Sequence, residues 1–283
     1  MDDLRSFLFV PSDSAKKLER ARSLRPDAVI YDLEDAVAPD KKTEARAQLK
    51  HELENGGHPS AKIFVRVNRF GSPFLDDDLS AAVRSQVQAI VLPKSSDAAE
   101  VAQVHEKVLQ LETAMGMRRG STRLALMLES ARGVARASEL ARCNSRTIAL
   151  LFGGEDFSAD MGITRTKSGD EIATARYLVA LAARAEGLQA IDGPFTDFHD
   201  SAGLLEETQR IKQMGFSGKA LIHPSQIETV HAAFAPSQEQ VAWAQEVVQT
   251  FETSGAGVAV VRGKMVDEPV VNQARKILRD SAR

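Results

Sequence analysis

The most constraining feature of this sequence is an alternation that repeats eight times: a short apolar or β-branched run, then a longer amphipathic stretch rich in Ala, Leu, Glu and Arg. The runs are Arg5–Val10, Ala28–Leu33, Lys62–Val67, Ala89–Pro93, Arg123–Leu128, Thr147–Phe152, Gln189–Asp192 and Lys219–Ile222. Candidate helices cover 14–24, 40–54, 74–85, 97–113, 131–142, 169–187 and 202–214. Such alternation indicates a parallel sheet, because each parallel strand needs a crossover connection. Eight repeats favour a (β/α)8 barrel over an open doubly wound sheet, which more often has about five to seven strands.

The alternation stops after residue 223. A helix is predicted near 237–254, followed by a short run at Val258–Val261 and a final helix that begins near Pro269. Residues 1–223 are therefore predicted to form an α/β domain of the TIM-barrel type, and 224–283 a C-terminal helical extension. Because the barrel is complete without it, the extension either caps its own barrel or reaches a neighbouring subunit. Periodicity leaves both arrangements open.

Composition excludes several classes of protein. The net charge of −3 supplies no general attraction to nucleic acid. No apolar run approaches the ~18 uncharged residues that span a bilayer, and acidic residues precede the first apolar run, unlike in a signal peptide. The single cysteine, Cys143, excludes an internal disulfide or a multi-thiolate metal site. We therefore expect a cytoplasmic protein with neither nucleic-acid nor membrane partners.

Polar side chains end nearly every apolar run, at the edge where a barrel carries its active site. They include Asp32, Glu34, Asp35, Asn68, Lys94, Glu129, Glu155, Asp156, Asp192 and His223. Several carboxylates placed around one axis repel one another and lose hydration. A cation is therefore expected among them.

Glu129 and Asp156 each follow an uninterrupted apolar run, LALML and IALLF. Two carboxylates, with water completing the shell, suit Mg²⁺, which prefers oxygen ligands. Zinc is disfavoured because the sequence has neither HExxH nor a Cys/His cluster. The alternative is that both carboxylates only cap the helices that follow them. Backbone N–H groups near Gly153 and Gly154 are further candidates to face an anion.

Arg66 lies within FVRVN, where strand alternation turns it into the barrel together with Phe64 and Asn68. Its planar guanidinium suits a two-point contact with a substrate carboxylate. An inward Arg beside carboxylates equally suits a structural ion pair. The residues alone leave these two interpretations open.

Nine ordered segments span nearly the whole chain: FLFVPSDSAKK, DLEDAVAPDKKTEAR, VRVN, VLPK, LMLES, FGGEDFSADMG, GLQAIDGPFTDF, MGFSGKALIHPSQI and GKMVDEPV. Together they resemble the citrate lyase β-subunit-like family of the HpcH/HpaI aldolase superfamily. Within it the chain is similar to stand-alone citramalyl-CoA and malyl-CoA lyases and to citrate lyase β chains. The resemblance implies a (β/α)8 barrel with a C-terminal extension, Mg²⁺ or Mn²⁺, an acyl-CoA or acyl-carrier thioester, and a homotrimer or hexamer.

The resemblance also implies roles at the metal and oxo-acid sites. Glu129 in LMLES and Asp156 in GGEDF would bind Mg²⁺. Arg66 in VRVN would bind the carboxylate of a 2-oxo acid. Independently of the resemblance, the glycine turn makes the main-chain N–H groups of Gly154 and Glu155 candidates to help hold it.

Two further groups follow from the same motifs. Lys16 and Arg20 would contact the phosphates of CoA, and Ile222 and His223 would line the thioester site. Asp267 in GKMVDEP would act as the acid/base, supplied by a neighbouring subunit.

The implied reaction cleaves a 3-hydroxyacyl-CoA, such as citramalyl-CoA or malyl-CoA, to acetyl-CoA and a 2-oxo acid, reversibly. Glu34 and Asp35 are expected to orient metal-bound water or Arg66. One alternative is a citrate lyase β chain that acts on a citryl-carrier thioester in a multi-subunit complex. The other is a non-catalytic barrel that serves as an interaction protein, which is disfavoured because buried charges would be kept at a cost. Which oxo acid is used stays open.

Overall fold

Eight parallel strands form a closed barrel in the computed structural model, which describes residues 4–254 and 257–281. The strands are β1 (Ser6–Pro11), β2 (Ala28–Asp32), β3 (Lys62–Arg66), β4 (Val87–Leu92), β5 (Arg123–Leu128), β6 (Thr147–Phe152), β7 (Gln189–Asp192) and β8 (Gly218–Leu221). They follow one another in sequence order around the barrel, and β8 pairs with β1. The predicted (β/α)8 TIM barrel is confirmed.

Helices connect the strands and cover the outside of the barrel. They are α1 (Ala15–Ala21), α2 (Lys42–Glu54), α3 (Leu75–Ala82), α4 (Ala98–Ala114), α5 (Ala131–Ala135), α6 (Ala137–Arg142), α7 (Gly154–Met161), α8 (Ala173–Ala185), α9 (Ser201–Gln213) and α10 (Gln226–Phe234). The predicted helix over 131–142 is divided at Arg136, where φ −102° and ψ 14° leave the helical region. Helix α7 was not predicted, because eight residues that begin with a glycine are too few for a clear helical period.

Alternate residues of the strands fill the inside of the barrel. The inward cluster contains Phe7, Ala28, Ile30, Phe64, Ala89, Val91, Ala125, Met127, Ala149, Leu151 and Ile191. Strand side chains repeat every second residue, so the next inward positions on β2, β3 and β5 belong to Asp32, Arg66 and Glu129. The core packing therefore directs these three side chains to the end of the barrel where the strands have their carboxyl termini, which we call the mouth.

The opposite end of β5 and β6 carries a buried ion pair. Glu112 on α4 accepts hydrogen bonds from Arg146 Nη1 at 2.8 Å and Nη2 at 2.7 Å. It also accepts from the N–H groups of Gly120 at 2.8 Å and Thr122 at 2.7 Å. Burial alone would raise the pKa of Glu112, but these donors outweigh it and hold the pKa at about 2. Both oxygens of this carboxylate are satisfied.

The chain divides into two compact units, Met1–His231 and Ala232–Arg283. The first unit extends past the predicted boundary at 223 because His231 Nε2, on α10, lies 2.7 Å from Ser6 Oγ on β1. In the second unit, α11 (Gln238–Ser254) and α12 (Glu268–Ser281) pack with the antiparallel strands β9 (Ala259–Val261) and β10 (Lys264–Val266). Their shared core contains Ala244, Val247, Val261, Val266, Val271 and Ala274.

Within residues 4–254 and 257–281, no helix is both long enough and apolar enough to cross a bilayer.

Candidate active site

Four charged side chains form a chain of alternating sign across the mouth of the barrel. Arg66 donates from Nε to Asp32 Oδ1 at 2.8 Å and from Nη2 to Asp32 Oδ2 at 2.6 Å. Its Nη1 lies 3.2 Å from Glu34 Oε2. Lys94 Nζ then donates to Glu34 Oε1 at 3.0 Å. Two carboxylates and two cations make this group electrically neutral.

Arg66 is held in position by its neighbours, but its guanidinium keeps N–H donors that could bind a ligand. Its guanidinium lies over the ring of Phe9, 4.7 Å from the centroid. Burial tends to lower the pKa of Arg66, but the hydrogen bonds and charge of Asp32 outweigh it and raise that pKa. A guanidinium has five N–H donors, and Asp32 takes two of them. Arg66 can therefore pair with Asp32 and bind the carboxylate of a ligand at the same time.

Glu34 and Asp35 differ in their surroundings. Glu34 is buried, and burial raises its pKa despite the opposing charge of Arg66. The Asp35 side chain is exposed, and its Oδ1 lies 3.6 Å from Lys94 Nζ. Lys42 Nζ donates to the carbonyl oxygens of Leu33 and Glu34, at 2.7 Å each, and so fixes the loop. Of the two predicted orienting carboxylates, Glu34 contacts Arg66 and Asp35 contacts Lys94.

Glu129 is a buried carboxylate of the mouth whose negative charge has few stabilising partners. Its side chain is buried, Oε1 accepts the main-chain N–H of Lys94 at 2.6 Å, and Oε2 has no hydrogen-bond partner in the described part of the chain. Burial, followed by the charge of Asp156, raises the pKa of Glu129 to about 8. Among the described residues, neither Glu129 nor Asp156 forms an ion pair with a cationic side chain.

Gly153 leaves the space that Glu129 occupies. A Cβ at Gly153 would lie 2.6 Å from Glu129 Cβ and 2.7 Å from its Oε2, so a side chain there would displace the carboxylate. Helix α7 starts at the next residue, and its first-turn N–H groups have no acceptor within the helix. Asp156 is exposed in that first turn. Glu129 therefore lies against Gly153, directly before the first turn of α7 that carries Asp156.

The donor set of Glu129 and Asp156 fits a hard divalent cation. Glu129 does not cap the helix that follows it, since the Ser130 side chain accepts from the N–H of Gly133 and caps α5. No group of three or more His, Cys, Asp or Glu side chains in the described residues has the geometry of a metal site. A cation at this pair would therefore need water and substrate to complete its shell, as Mg²⁺ commonly does. The metal assignment stays a prediction.

A cleft of about 270 Å³ lies beside the mouth. It is lined by Leu8, Phe9, Val10, Pro11, Lys17, Arg20, Ala21, Leu24, Ile222, His223 and Pro224. Lys17, Arg20 and Ala21 share one face of α1, because they are three and four residues apart. Lys16 is exposed and does not line the cleft, since a one-residue step rotates it away from that face. Lys17 was missed by the sequence analysis; helical spacing from Arg20 would have identified it.

The loop after β8 presents the other wall of the cleft. Gln226 is buried, and its Oε1 accepts from the main-chain N–H groups of Ile222 at 2.9 Å and His223 at 3.1 Å. The His223 ring stacks on Phe198, with 4.9 Å between centroids, and its Nδ1 lies 2.7 Å from Ser225 Oγ. Gln226 therefore fixes the two predicted thioester-lining residues. No sequence signal singled it out.

Asp192 does not join the mouth. Its carboxylate accepts from Arg176 Nε at 2.9 Å and Lys219 Nζ at 2.8 Å, between the sheet and helices α8 and α9. Its neighbour Ile191 occupies the inward position of β7, so alternation turns Asp192 outward. The interpretation of Asp192 as a carboxylate near the barrel axis is wrong.

Asp267 lies in the second unit, between β10 and α12. It is half-buried, and its Oδ1 accepts from the N–H of Val270 at 3.4 Å, a long contact in the position of a helix cap. Its catalytic role stays a prediction.

Comparison with known proteins gives the family. Residues 5–224 match the model of the family HpcH/HpaI aldolase/citrate lyase. The chain is 38% identical to citrate lyase subunit beta of Escherichia coli K12 over 277 residues, which cover 97% of this chain and 92% of that protein. It is 34% identical to the mitochondrial citramalyl-CoA lyase of Mus musculus over 293 residues, covering 97% and 85%.

A solved structure agrees over the full length. The crystal structure of CitE from Mycobacterium tuberculosis in complex with magnesium, acetoacetate and coenzyme A matches with a TM-score of 0.81 and 32% identity, and the match covers 99% of each chain. The predicted family and the class of carbon–carbon lyase are confirmed. This chain belongs to the HpcH/HpaI aldolase/citrate lyase family.

Proposed function

We propose that this chain is a Mg²⁺-dependent acyl-CoA lyase. It cleaves a 3-hydroxyacyl-CoA, such as citramalyl-CoA or malyl-CoA, into acetyl-CoA and a 2-oxo acid, and it catalyses the reverse condensation. The observation that carries the proposal is Glu129 Oε2, a buried oxygen without a partner beside Asp156. Four neighbouring acidic side chains have cationic partners: Asp32 and Glu34 with Arg66, Asp35 with Lys94, and Glu155 with Arg165.

Glu129 and Asp156 would hold the metal ion. Bound Mg²⁺ supplies Lewis acidity for the substrate hydroxyl and its adjacent carboxylate. The remaining N–H donors of Arg66 would bind that carboxylate, helped by the first-turn N–H groups of α7 at Gly154 and Glu155. Asp32 and Glu34 keep the guanidinium in place, which confines the oxo acid to one orientation. The magnesium in the Mycobacterium tuberculosis relative supports this assignment.

The cleft beside the mouth would bind CoA. Lys17 and Arg20 provide cationic groups for phosphates, and Phe9 and Ile222 provide apolar surface for the pantetheine arm. Lys16 remains a candidate for a more peripheral phosphate contact from its exposed position.

Cleavage leaves an enolate on the acetyl thioester, which must be protonated at carbon. We assign that proton to Asp267, supplied by the extension of a neighbouring subunit in a homotrimer or hexamer. The family resemblance of the GKMVDEP segment supports this assignment.

A citrate lyase β chain is the second candidate. The 38% identity to the Escherichia coli subunit favours it. That reaction uses a citryl-carrier thioester and needs partner subunits, whereas the first candidate acts alone on CoA esters. The two therefore differ in what the purified chain can do.

A cleavage panel decides between them. The purified chain is incubated with malyl-CoA, citramalyl-CoA and citryl-CoA, with and without Mg²⁺, and acetyl-CoA, free CoA and oxo acid are quantified, with Glu129→Ala as the inactive control. We expect equal amounts of acetyl-CoA and oxo acid from malyl-CoA or citramalyl-CoA, only with Mg²⁺. Free CoA without oxo acid would show thioester hydrolysis and contradict the proposal. Turnover confined to citryl thioesters would favour the second candidate.

Arg66→Lys tests the oxo-acid assignment. A single ammonium cannot reproduce a two-point contact, so the KM for the oxo acid in the condensation direction should rise about tenfold or more, with a much smaller change for acetyl-CoA. Steady-state kinetics with each substrate varied measures this. An unchanged oxo-acid KM would leave Arg66 as a structural ion pair only.

Asp267→Asn tests the acid/base and its origin. The carbon–carbon step should slow about 10²-fold, while metal and oxo-acid binding stay nearly intact. Mixed oligomers of Asp267→Asn and Glu129→Ala should regain activity, because some interfaces would pair an intact metal site with an intact Asp267. No recovery in subunits shown by mass spectrometry to have exchanged would contradict the supply from a neighbour.

A further inference from the structure

Lys94 occupies an unusual position directly after β4. Its φ of 53° lies in the left-handed region; the other described non-glycine residue there is Arg262, in the turn between β9 and β10. For an L-residue with a side chain this conformation is strained. It allows Lys94 to contact Glu129 with its main chain and Glu34 and Asp35 with its side chain.

The two contacts reach the two halves of the mouth. The candidate metal half contains Glu129 and Asp156, and the candidate oxo-acid half contains Asp32, Glu34 and Arg66. The main-chain N–H donates to Glu129 Oε1 at 2.6 Å, which leaves Oε2 as the free oxygen of that carboxylate. The ammonium group donates to Glu34 Oε1 at 3.0 Å, while Glu34 Oε2 faces Arg66 at 3.2 Å. Lys94 therefore connects the candidate metal half with the candidate oxo-acid half.

The charges of the mouth divide along the same line. In one half, Arg66 and Lys94 balance the buried carboxylates Asp32 and Glu34, and the exposed Asp35 lies 3.6 Å from Lys94 Nζ. Glu129 and Asp156 together carry up to −2, which matches a divalent cation. Without the ammonium group, Glu34 would add a further negative charge next to the carboxylate of an incoming oxo acid.

We propose that Lys94 is a positioning residue that determines which ion each half of the mouth accepts. Its main-chain N–H presents Glu129 Oε2 to a divalent cation, and its ammonium group neutralises Glu34 so that Arg66 accepts an anionic carboxylate. The inference rests on the proposed function, because it takes a divalent cation and an oxo acid as the two ligands.

Two variants separate the ammonium group from the main-chain contact. Lys94→Gly and Lys94→Asn remove the charge, keep the N–H donor and tolerate the left-handed backbone. Because a positive charge is lost, Mn²⁺ should bind about threefold to tenfold more tightly, whereas pyruvate should bind at least about tenfold more weakly. These opposite changes are the expected result. A merely structural role would weaken both ligands together, since the whole mouth would loosen.

Lys107→Gln is the matched control. Lys107 Nζ pairs with Asp76 on the outside of the barrel, and its side chain is 39% exposed, against 38% for Lys94. Neither ligand should change affinity in this variant, and Lys94→Arg should restore both affinities to within about threefold of the wild type.

The readouts are Mn²⁺ titration followed by electron paramagnetic resonance and pyruvate titration by calorimetry in saturating Mn²⁺, both on the full chain. Opposite shifts in both charge-removing variants support the inference. Parallel weakening, or no shift, overturns it while leaving the proposed function in place. Failure of the wild-type chain to bind Mn²⁺ overturns the proposed function and the inference together.

Discussion

The two ends of strands β5 and β6 each hold a buried glutamate, and the two carboxyl groups behave in opposite ways. Glu112, near the amino ends, is 0% exposed and has a pKa of about 2. Glu129, at the carboxyl end of β5, is 3% exposed and has a pKa of about 8. Burial tends to raise the pKa of both carboxyl groups; the partners of Glu112 reverse that tendency, whereas those of Glu129 do not. Glu112 has Arg146 and two N–H groups, whereas Glu129 has one N–H group and the carboxylate Asp156.

This contrast separates a stabilising end of the barrel from a functional one. A buried carboxylate with its own cation contributes to stability, while one that faces another carboxylate opposes folding until a cation is supplied. The chain keeps the second arrangement at the end where barrels of this type carry their active sites. This contrast supports the proposal that Glu129 binds a cationic ligand.

The largest expected effect is that of Glu129→Gln. Loss of a metal ligand should lower turnover by at least about 10³-fold, because metal ions contribute several kcal/mol to such transition states. The fold should survive and, in chelator, unfold at the same or a higher temperature than the wild type, since a repelled carboxylate is removed. Kinetics and calorimetric melting measure the two effects.

Glu112→Gln is its matched control at the other end. Melting should occur at a lower temperature, because a charge-assisted contact to Arg146 is lost, with Mg²⁺-dependent turnover retained. Full activity of Glu129→Gln in chelator would contradict the assignment of Glu129 as a metal ligand.

Next in size is Arg146→Met, which leaves Glu112 buried without its cation. Removing one partner of a buried pair typically costs about 3–5 kcal/mol, so the free energy of unfolding in urea should fall by that amount. Mn²⁺ affinity should stay within about twofold, because the altered pair is at the opposite end of the barrel. The double variant Glu112→Gln/Arg146→Met should lose less than Arg146→Met alone. An equal loss would show that packing, and not the unpaired charge, sets the cost.

The smallest effect is a pH dependence. The folded pKa of Glu112, about 2, lies below the ordinary value of 4.5, so its contribution is fully present above pH 4.5 and is lost as the pH falls toward 2. Roughly 2 kcal/mol of that contribution should disappear by pH 3. Urea unfolding of the wild type and of Glu112→Gln/Arg146→Met between pH 5 and 3 measures the difference. Identical slopes would contradict the assignment.

The fold and the inward direction of two site residues could be predicted from the sequence, because both follow from strand alternation. Period two places Arg66 beyond Phe64 and Glu129 beyond Met127, and the structure has both pairs inward. The same rule, applied to Ile191, would have turned Asp192 away from the mouth.

The rest depended on backbone detail that residue types do not specify. The positive φ of Lys94 and the start of α7 at Gly154 determine which donor meets Glu129, and neither has a periodic signal. Lys17 and Lys16 differ only in the rotation of a seven-residue helix. Spacing from Arg20 separates the two, since Lys17 is three residues from Arg20 and shares its face of the helix.

Mn²⁺ binding to the metal-free chain tests the central claim most directly. In an equilibrium titration followed by electron paramagnetic resonance, the wild type and Glu112→Gln should bind Mn²⁺ at the same single class of site, and Glu129→Gln should lose it. Retention of that site in Glu129→Gln, or its loss in Glu112→Gln, would contradict the account.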